Sequence, residues 1–139
     1  MKHIFLTLTL IIFSFINVLA YDFTAICETG QELAYNINEA TQTVELTYTS
    51  YDRGFSGQLV IPESVVYESM THTVASIGRK AFIDCANLTS VTIPMSVTSI
   101  GENAFNGCTS LTSVMIPKSV TSIEREAFSG CTNLTSVTI

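Results

Sequence analysis

Four cysteines and His72 are the residues beyond the apolar N-terminus of this chain that could do redox or metal chemistry. Cys85, Cys108 and Cys131 recur at equal intervals, and Cys27 stands apart from them. Paired thiols form disulfides in secreted proteins, and thiolate or imidazole groups bind Zn²⁺. Disulfides and a zinc site are therefore the two chemistries to test first.

The equal spacing of the three cysteines argues against both a disulfide and a zinc site among them. Residues at one phase of a repeat stack one per rung, and neighbouring rungs lie roughly 4.7–4.9 Å apart. A disulfide needs a Cβ separation of about 3.5–4.5 Å, and Zn²⁺ needs ligands that converge on one point. We expect Cys85, Cys108 and Cys131 to form a ladder of buried free thiols, with no metal and no cofactor. Cys27 has no assignable partner.

Catalytic chemistry has little support in the sequence. His72 lies alone in an inserted segment, with no evident nucleophile or orienting carboxylate beside it. The chain also lacks a glycine-rich phosphate loop and a paired-carboxylate motif. The sequence predicts that the protein is not an enzyme.

The cysteine spacing is that of a repeated sequence, which predicts a solenoid. Residues 74–96, 97–119 and 120–139 read VASIGRKAFIDCANLTSVTIPMS, VTSIGENAFNGCTSLTSVMIPKS and VTSIEREAFSGCTNLTSVTI. Each unit must bury its apolar face against the next. In each unit the L-x-x-V-x-I segment predicts a short strand. A second short extended segment is expected just before the Ala-Phe-Cys segment. The Ala-Phe-Cys segment itself predicts a compact turn or a short helix.

An irregular first rung, residues 57–73, precedes the regular repeats. Its Ile61-Pro62 pair is farther from the next such pair than the regular period allows, so residues 67–72 predict a longer loop or a small hairpin. Residues 21–56 predict a β-rich N-terminal cap, with a hairpin whose polar loop spans 38–42. The solenoid as a whole is expected to occupy residues 57–139.

Two departures from the repeat concern its third copy. Gly78 and Gly101 share one phase, where the third copy has Glu124. If this position needs a positive φ, a residue other than glycine is strained there by about 1–2 kcal/mol. The third copy also stops at Ile139 without its proline, so the chain is expected to be a fragment, a truncated member, or a chain that associates through this uncapped C-terminal rung.

Residues 1–20 predict a signal peptide. Lys2 and His3 precede an apolar stretch, and Val18-Leu19-Ala20 places small residues at the two positions that a signal peptidase reads. A retained membrane anchor is the alternative, but the stretch is shorter than the roughly 20 apolar residues that span a bilayer. We expect a secreted or cell-surface protein with no membrane span after cleavage.

The charge of the chain excludes some partners. Its net charge is −6, which becomes −7 once Lys2 is removed with the signal peptide. The remaining basic residues do not cluster, so nucleic acid and anionic lipid are not expected as partners.

The repeat resembles a known family. The pattern SIGxxAFxxCxxLTSVTIPxSVT resembles the BspA-like leucine-rich repeats of bacterial surface proteins over residues 57–139. The segment 21–27 is similar to the stretch that often precedes such repeats. The resemblance implies a leucine-rich-repeat solenoid and adhesion to extracellular matrix or to other cells. The partner it implies is an extracellular protein or glycan.

Strand positions that point away from the core are the candidate partner-binding face. They are Ser90, Thr92, Ser113, Met115, Ser136 and Thr138. Met115 interrupts a row of hydroxyl side chains and is the exposed apolar candidate. A solvated face without a ligand is the alternative, and it corresponds to a structural or truncated repeat fragment with no binding activity of its own.

Overall fold

A computed structural model describes residues 21–48 and 54–139, so the expected signal peptide at 1–20 lies outside the described residues. The strands are β1 (Phe23–Ile26), β2 (Glu32–Asn38), β3 (Thr43–Thr47), β4 (Ser56–Val60), β5 (Ser64–Tyr67), β6 (Met70–Ile77), β7 (Asn87–Thr92), β8 (Ser99–Ile100), β9 (Ser113–Met115), β10 (Ser122–Ile123) and β11 (Ser136–Thr138). No helix occurs in these two ranges, and none there could cross a membrane. Of the two alternatives for the Ala-Phe-Cys segment, the compact turn is therefore the correct one.

The strands form two sheets, and each regular rung contributes to both. The larger sheet has the order β1-β2-β3-β6-β8-β10, with β5 pairing with β6 from the side. The smaller sheet has the order β11-β9-β7-β4, and all of its pairs are parallel. In the rung 97–119, β8 belongs to the larger sheet and β9 to the smaller one. The predicted β-dominated solenoid with short parallel strands is confirmed.

Threonine recurs in the rungs because its hydroxyl bonds to the backbone of the preceding rung. Thr121 Oγ1 donates to the carbonyl of Thr98 at 3.3 Å, and Thr112 Oγ1 donates to that of Thr89 at 3.0 Å. The two residues of each pair are 23 residues apart, which is the period of the repeat. The backbone amides of Thr121 and Thr112 donate to the same two carbonyls, each at 2.9 Å. The β-branched threonine side chain thus suits a strand, and its hydroxyl gives the carbonyl of the preceding rung a second hydrogen bond.

Rings and aliphatic side chains of successive rungs stack into one core. Phe105 lies between Phe82 and Phe128, with ring centroids 5.1 Å and 5.2 Å away and planes within 10°. Phe55, just before the irregular rung, meets Phe82 edge-on at 5.2 Å. Phe82 and Phe105 are buried, whereas Phe128 is only partly buried. Burial therefore declines toward the third copy.

The shared glycine position does not have a positive φ, so the condition under which Glu124 would be strained is not met. Each rung has left-handed residues two and six positions later. The first position is occupied by Lys80, Asn103 and Glu126, with φ of 57–59°, and the second by Asp84, Gly107 and Gly130, with φ of 59–76°. Glycine is needed at 101 because rungs approach closely there. A Cβ on Gly101 would lie 2.7 Å from the backbone nitrogen of Arg79.

Antiparallel hairpins cover the start of the stack, where β1 pairs with β2 as well. The predicted loop at 38–42 joins β2 to β3, which pair from Asn38 opposite Thr43 onward. The insertion forms the hairpin β5–β6, turning at Glu68 and Ser69, which both have positive φ as tight hairpin turns require. Of the two alternatives for residues 67–72, the small hairpin is therefore correct, and it places His72 in β6, where the side chain is 2% exposed.

Candidate functional site

The smaller sheet brings the six candidate residues together in two straight rows. One row joins Ser90, Ser113 and Ser136, which are direct partners in the parallel pairs β7–β9 and β9–β11. The second row joins Thr92, Met115 and Thr138 in the same way. The residues between them, such as Val114, point into the core because strand side chains alternate. We call these two rows the outer face.

Strand β4 extends both rows by one rung, which sequence reasoning missed. Gln58 is the partner of Ser90, and Val60 is the partner of Thr92. The irregular rung is separated from the next one by more than the regular period, so a search at that period does not reach it. Matching Leu59-Val60-Ile61-Pro62 to the later Ile-Pro segments could have found both residues.

The chemistry of the outer face is hydroxyl, amide and thioether, without charge. Met115 is 54% exposed, although the inward residues of β4, β7 and β9 in its sheet are almost fully buried. The serines at 90 and 113 are half-buried, and Ser136 and Thr138 are exposed. An uncharged surface with hydrogen-bonding groups at regular intervals can contact a protein or a glycan, but it offers no group that activates a substrate.

The cysteine ladder is present and lies in the interior. Cys108 Sγ donates to the carbonyl of Phe82 at 3.2 Å, and Cys131 Sγ donates to that of Phe105 at the same distance. A hydrogen bond with Cys85, together with burial, raises the pKa of the Cys108 thiol well above its usual range. Burial also raises the pKa of Cys131. These thiols stay protonated at neutral pH and are poor nucleophiles.

The native chain should therefore resist thiol reagents. At pH 8 we expect a water-soluble maleimide to leave Cys85 and Cys108 unmodified and to react slowly with the half-buried Cys131. In denaturant all four cysteines should react. Mass spectrometry of the labelled chain measures this. A native mass lower by two hydrogens, restored by a reductant and mapped to two ladder cysteines, would reveal a disulfide and contradict it.

Cys27 and His72 do not join the ladder or each other. Cys27 is buried in the cap, where its Sγ lies 3.0 Å from Thr29 Oγ1 in the turn that leads to β2. His72 is buried in β6, with its ring 6.5 Å from that of Tyr67. Over residues 21–48 and 54–139, no three His, Cys, Asp or Glu side chains are grouped so that they could hold a metal ion.

Comparisons with known proteins agree with this architecture. A family profile described as "BspA type Leucine rich repeat region" matches residues 63–139 with six copies. A leucine-rich repeat protein from Bacteroides ovatus is 37% identical, with a TM-score of 0.73 over 84% of this chain and 29% of its own. A leucine rich cell surface protein from Faecalibacterium prausnitzii is 31% identical, with a TM-score of 0.65 over 82% of this chain and 30% of its own.

A third solved structure, the leucine-rich repeat protein of T. pallidum, is 27% identical, with a TM-score of 0.65 over 77% of this chain and 47% of its own. The chain thus spans less than a third of the length of the first two structures. No curated protein matches it.

Proposed function

The chain belongs to the BspA-type leucine-rich-repeat family, and from that premise we propose that it binds extracellular macromolecules as a secreted or cell-surface protein. Two observations support this location: the signal peptide expected at residues 1–20, and the similarity to a protein described as a leucine rich cell surface protein. The role we infer is non-catalytic contact with an extracellular protein or glycan.

The observation that carries the proposal is the outer face. Its rows run through four rungs without a charged residue, from Gln58 and Val60 to Ser136 and Thr138. Their backbone is fixed by parallel pairing on both sides in the central strands, so little conformational entropy is lost when a partner binds. A surface whose backbone is held in this way is suited to shape-complementary contact.

Met115 is the residue from which we expect most of the contact energy. It is the large apolar side chain in the middle of the rows, and it is 54% exposed. A methionine side chain adapts to irregular surfaces and buries apolar area when a partner covers it. The hydroxyls around it would then form the polar rim of the contact.

The test compares two exposed methionines. Binding of the purified, monomeric chain to a panel of matrix proteins, glycans and cell surfaces is measured by surface plasmon resonance and by cell adhesion. Met115→Glu should weaken saturable binding by about tenfold or more, since it places a charge in the contact. Met95→Glu is the control, because Met95 is 61% exposed but lies in the turn after β7.

Two results would count against the proposal. Equal effects of the two substitutions would show that the outer face does not form the contact. No saturable binding by this chain, with binding by a longer repeat array, would favour the alternative of a structural fragment without its own activity.

A further inference from the structure

The charge of the protein is concentrated at one end of the solenoid. Residues 21–78 contain eight acidic residues and one basic residue, whereas residues 79–139 contain four of each. The whole net charge of the chain after Tyr21 therefore belongs to the cap and the irregular rung. A partner that approaches this end meets a negative potential, and one that approaches the regular rungs does not.

A groove of about 390 Å³ opens where this acidic end meets the outer face. It is lined by the apolar groups of Val60, Pro62 and Pro94 and by the carboxylate side chains of Glu28 and Glu63. Thr92 also lines it. Because Val60 and Thr92 are paired members of one row of the outer face, the groove continues that face.

Hydrogen bonds fix both sides of the groove. The amide of Ile61 donates to the carbonyl of Thr92 at 3.1 Å, which holds the chain beside β7 just before its proline. Gln31 Nε2 donates to the carbonyl of Ser56 at 2.9 Å, which ties the turn carrying Glu28 to β4. The carbonyl of Glu63 accepts the amide of Val74 at 2.9 Å. The groove is thus formed before any ligand arrives.

The two carboxylates are available to a ligand. Glu28 and Glu63 are exposed, and across residues 21–48 and 54–139 neither side chain has an ion pair or a hydrogen bond. Lysine and arginine side chains combine an apolar stem with a cationic end. The prolines and Val60 can cover such a stem while the two carboxylates accept hydrogen bonds from the cation.

We propose that this groove binds a lysine or arginine side chain from an extended basic segment of a partner protein. The proposal rests on the proposed function, because it names the class of partner that the outer face would contact. The surrounding cap adds long-range attraction for further basic residues of the same segment, and the regular rungs add none. Glycans without basic groups do not match this site.

The probe is a synthetic ten-residue peptide of alternating lysine and valine, titrated into the purified chain and followed by fluorescence anisotropy. The matched control peptide alternates glutamate and valine. Glu28→Gln with Glu63→Gln should weaken binding of the lysine peptide about three- to tenfold, the size expected for two exposed ion pairs. Raising the salt concentration from 50 to 300 mM should weaken it further, because added ions screen exposed charges.

A second double variant, Asp84→Asn with Glu126→Gln, removes two carboxylates from the regular rungs. Both residues are exposed and lie in turns, so this variant should leave binding within about twofold of the unmodified chain. Equal weakening by both double variants would overturn the groove as the site. So would failure of the lysine peptide to bind, or equal binding of the glutamate peptide.

This outcome is separable from that of the proposed function. Met115→Glu tests the outer face with the matrix panel, whereas the glutamine variants test the groove with a peptide. If the panel binds and the lysine peptide does not, the partner class is wrong and the binding role stands. Thermal unfolding of each variant confirms that the fold is unchanged.

Discussion

Replacing Phe105 with alanine should lower the free energy of unfolding by about 3–5 kcal/mol. The side chain is fully buried, and its ring stacks between Phe82 and Phe128 at 5.1 Å and 5.2 Å. Alanine leaves a cavity in the middle of the ring stack, and neither neighbour can fill it without breaking the contacts that hold its own rung. Since small domains are stable by only about 5–15 kcal/mol, this one substitution removes a large fraction of the total.

Urea unfolding followed by circular dichroism measures this loss. Phe128→Ala is the matched control, because Phe128 has the same chemistry but one stacked neighbour among the described rings and only partial burial. It should cost about half as much or less. If both substitutions lower the free energy of unfolding equally, the conclusion that burial declines toward the third copy would be incorrect.

The interior of the regular rungs was predictable because three near-identical copies fix the phase of every residue. A residue that recurs at the regular period, such as Phe105 or Cys108, must meet its own equivalent in the next rung, whatever the details of the backbone. The outer face followed from the strand period in the same way, since Ser113 and Met115 flank the inward Val114. Pattern and packing agree at these positions.

The recurrence of Gly78 and Gly101 did not reveal why glycine is needed at that position. A glycine is selected either by a positive φ or by close approach of another backbone, and both leave the same trace in a sequence. Here the second reason applies at Gly101, while Asn103 carries the positive φ without being glycine. Asparagine tolerates that conformation better than most residues, but lysine and glutamate occupy it in the other rungs.

The junction between cap and solenoid has no period and could not be predicted. Strand β3 of the cap hairpin pairs in parallel with β6, across an irregularity between Val44 and Glu45. The groove also depends on a long-range contact, because the hydrogen bond from Gln31 to Ser56 joins positions 25 residues apart. Such long-range contacts are determined by tertiary packing, and no repeated pattern in the sequence indicates them.

The second large effect is expected from Gly101→Ala. A Cβ at this position would lie 2.7 Å from the nitrogen of Arg79 and 2.8 Å from the carbonyl carbon of Gly78. Both atoms belong to backbone, and they cannot rotate away as a side chain would. The rungs must therefore separate, which weakens the bond from the Gly101 amide to the carbonyl of Ile77 at 2.8 Å. We expect a loss of about 2–4 kcal/mol, at or above the usual cost of overpacking.

Glu124 shows why we expect the loss of stability only in a rung that is packed on both sides. It occupies the same phase without being glycine, and its carboxylate accepts the amide of Glu102 at 3.2 Å. Residues 121–126 are exposed, so less packing opposes a small displacement of this rung. Gly101 is confined, because the rungs of Gly78 and Glu124 hold it from both directions.

Gly78→Ala is the control that isolates the role of backbone contact. Gly78 has the same phase, but the three atoms nearest to a Cβ there would all belong to the Glu45 side chain, with Cδ at 2.8 Å. That side chain can rotate, at the cost of its 3.3 Å hydrogen bond from Ser76, so we expect a loss of about 1 kcal/mol or less. Thermal and urea unfolding of the two variants should differ clearly. Equal losses would mean that close approach of the backbone is not what requires glycine in the second regular rung.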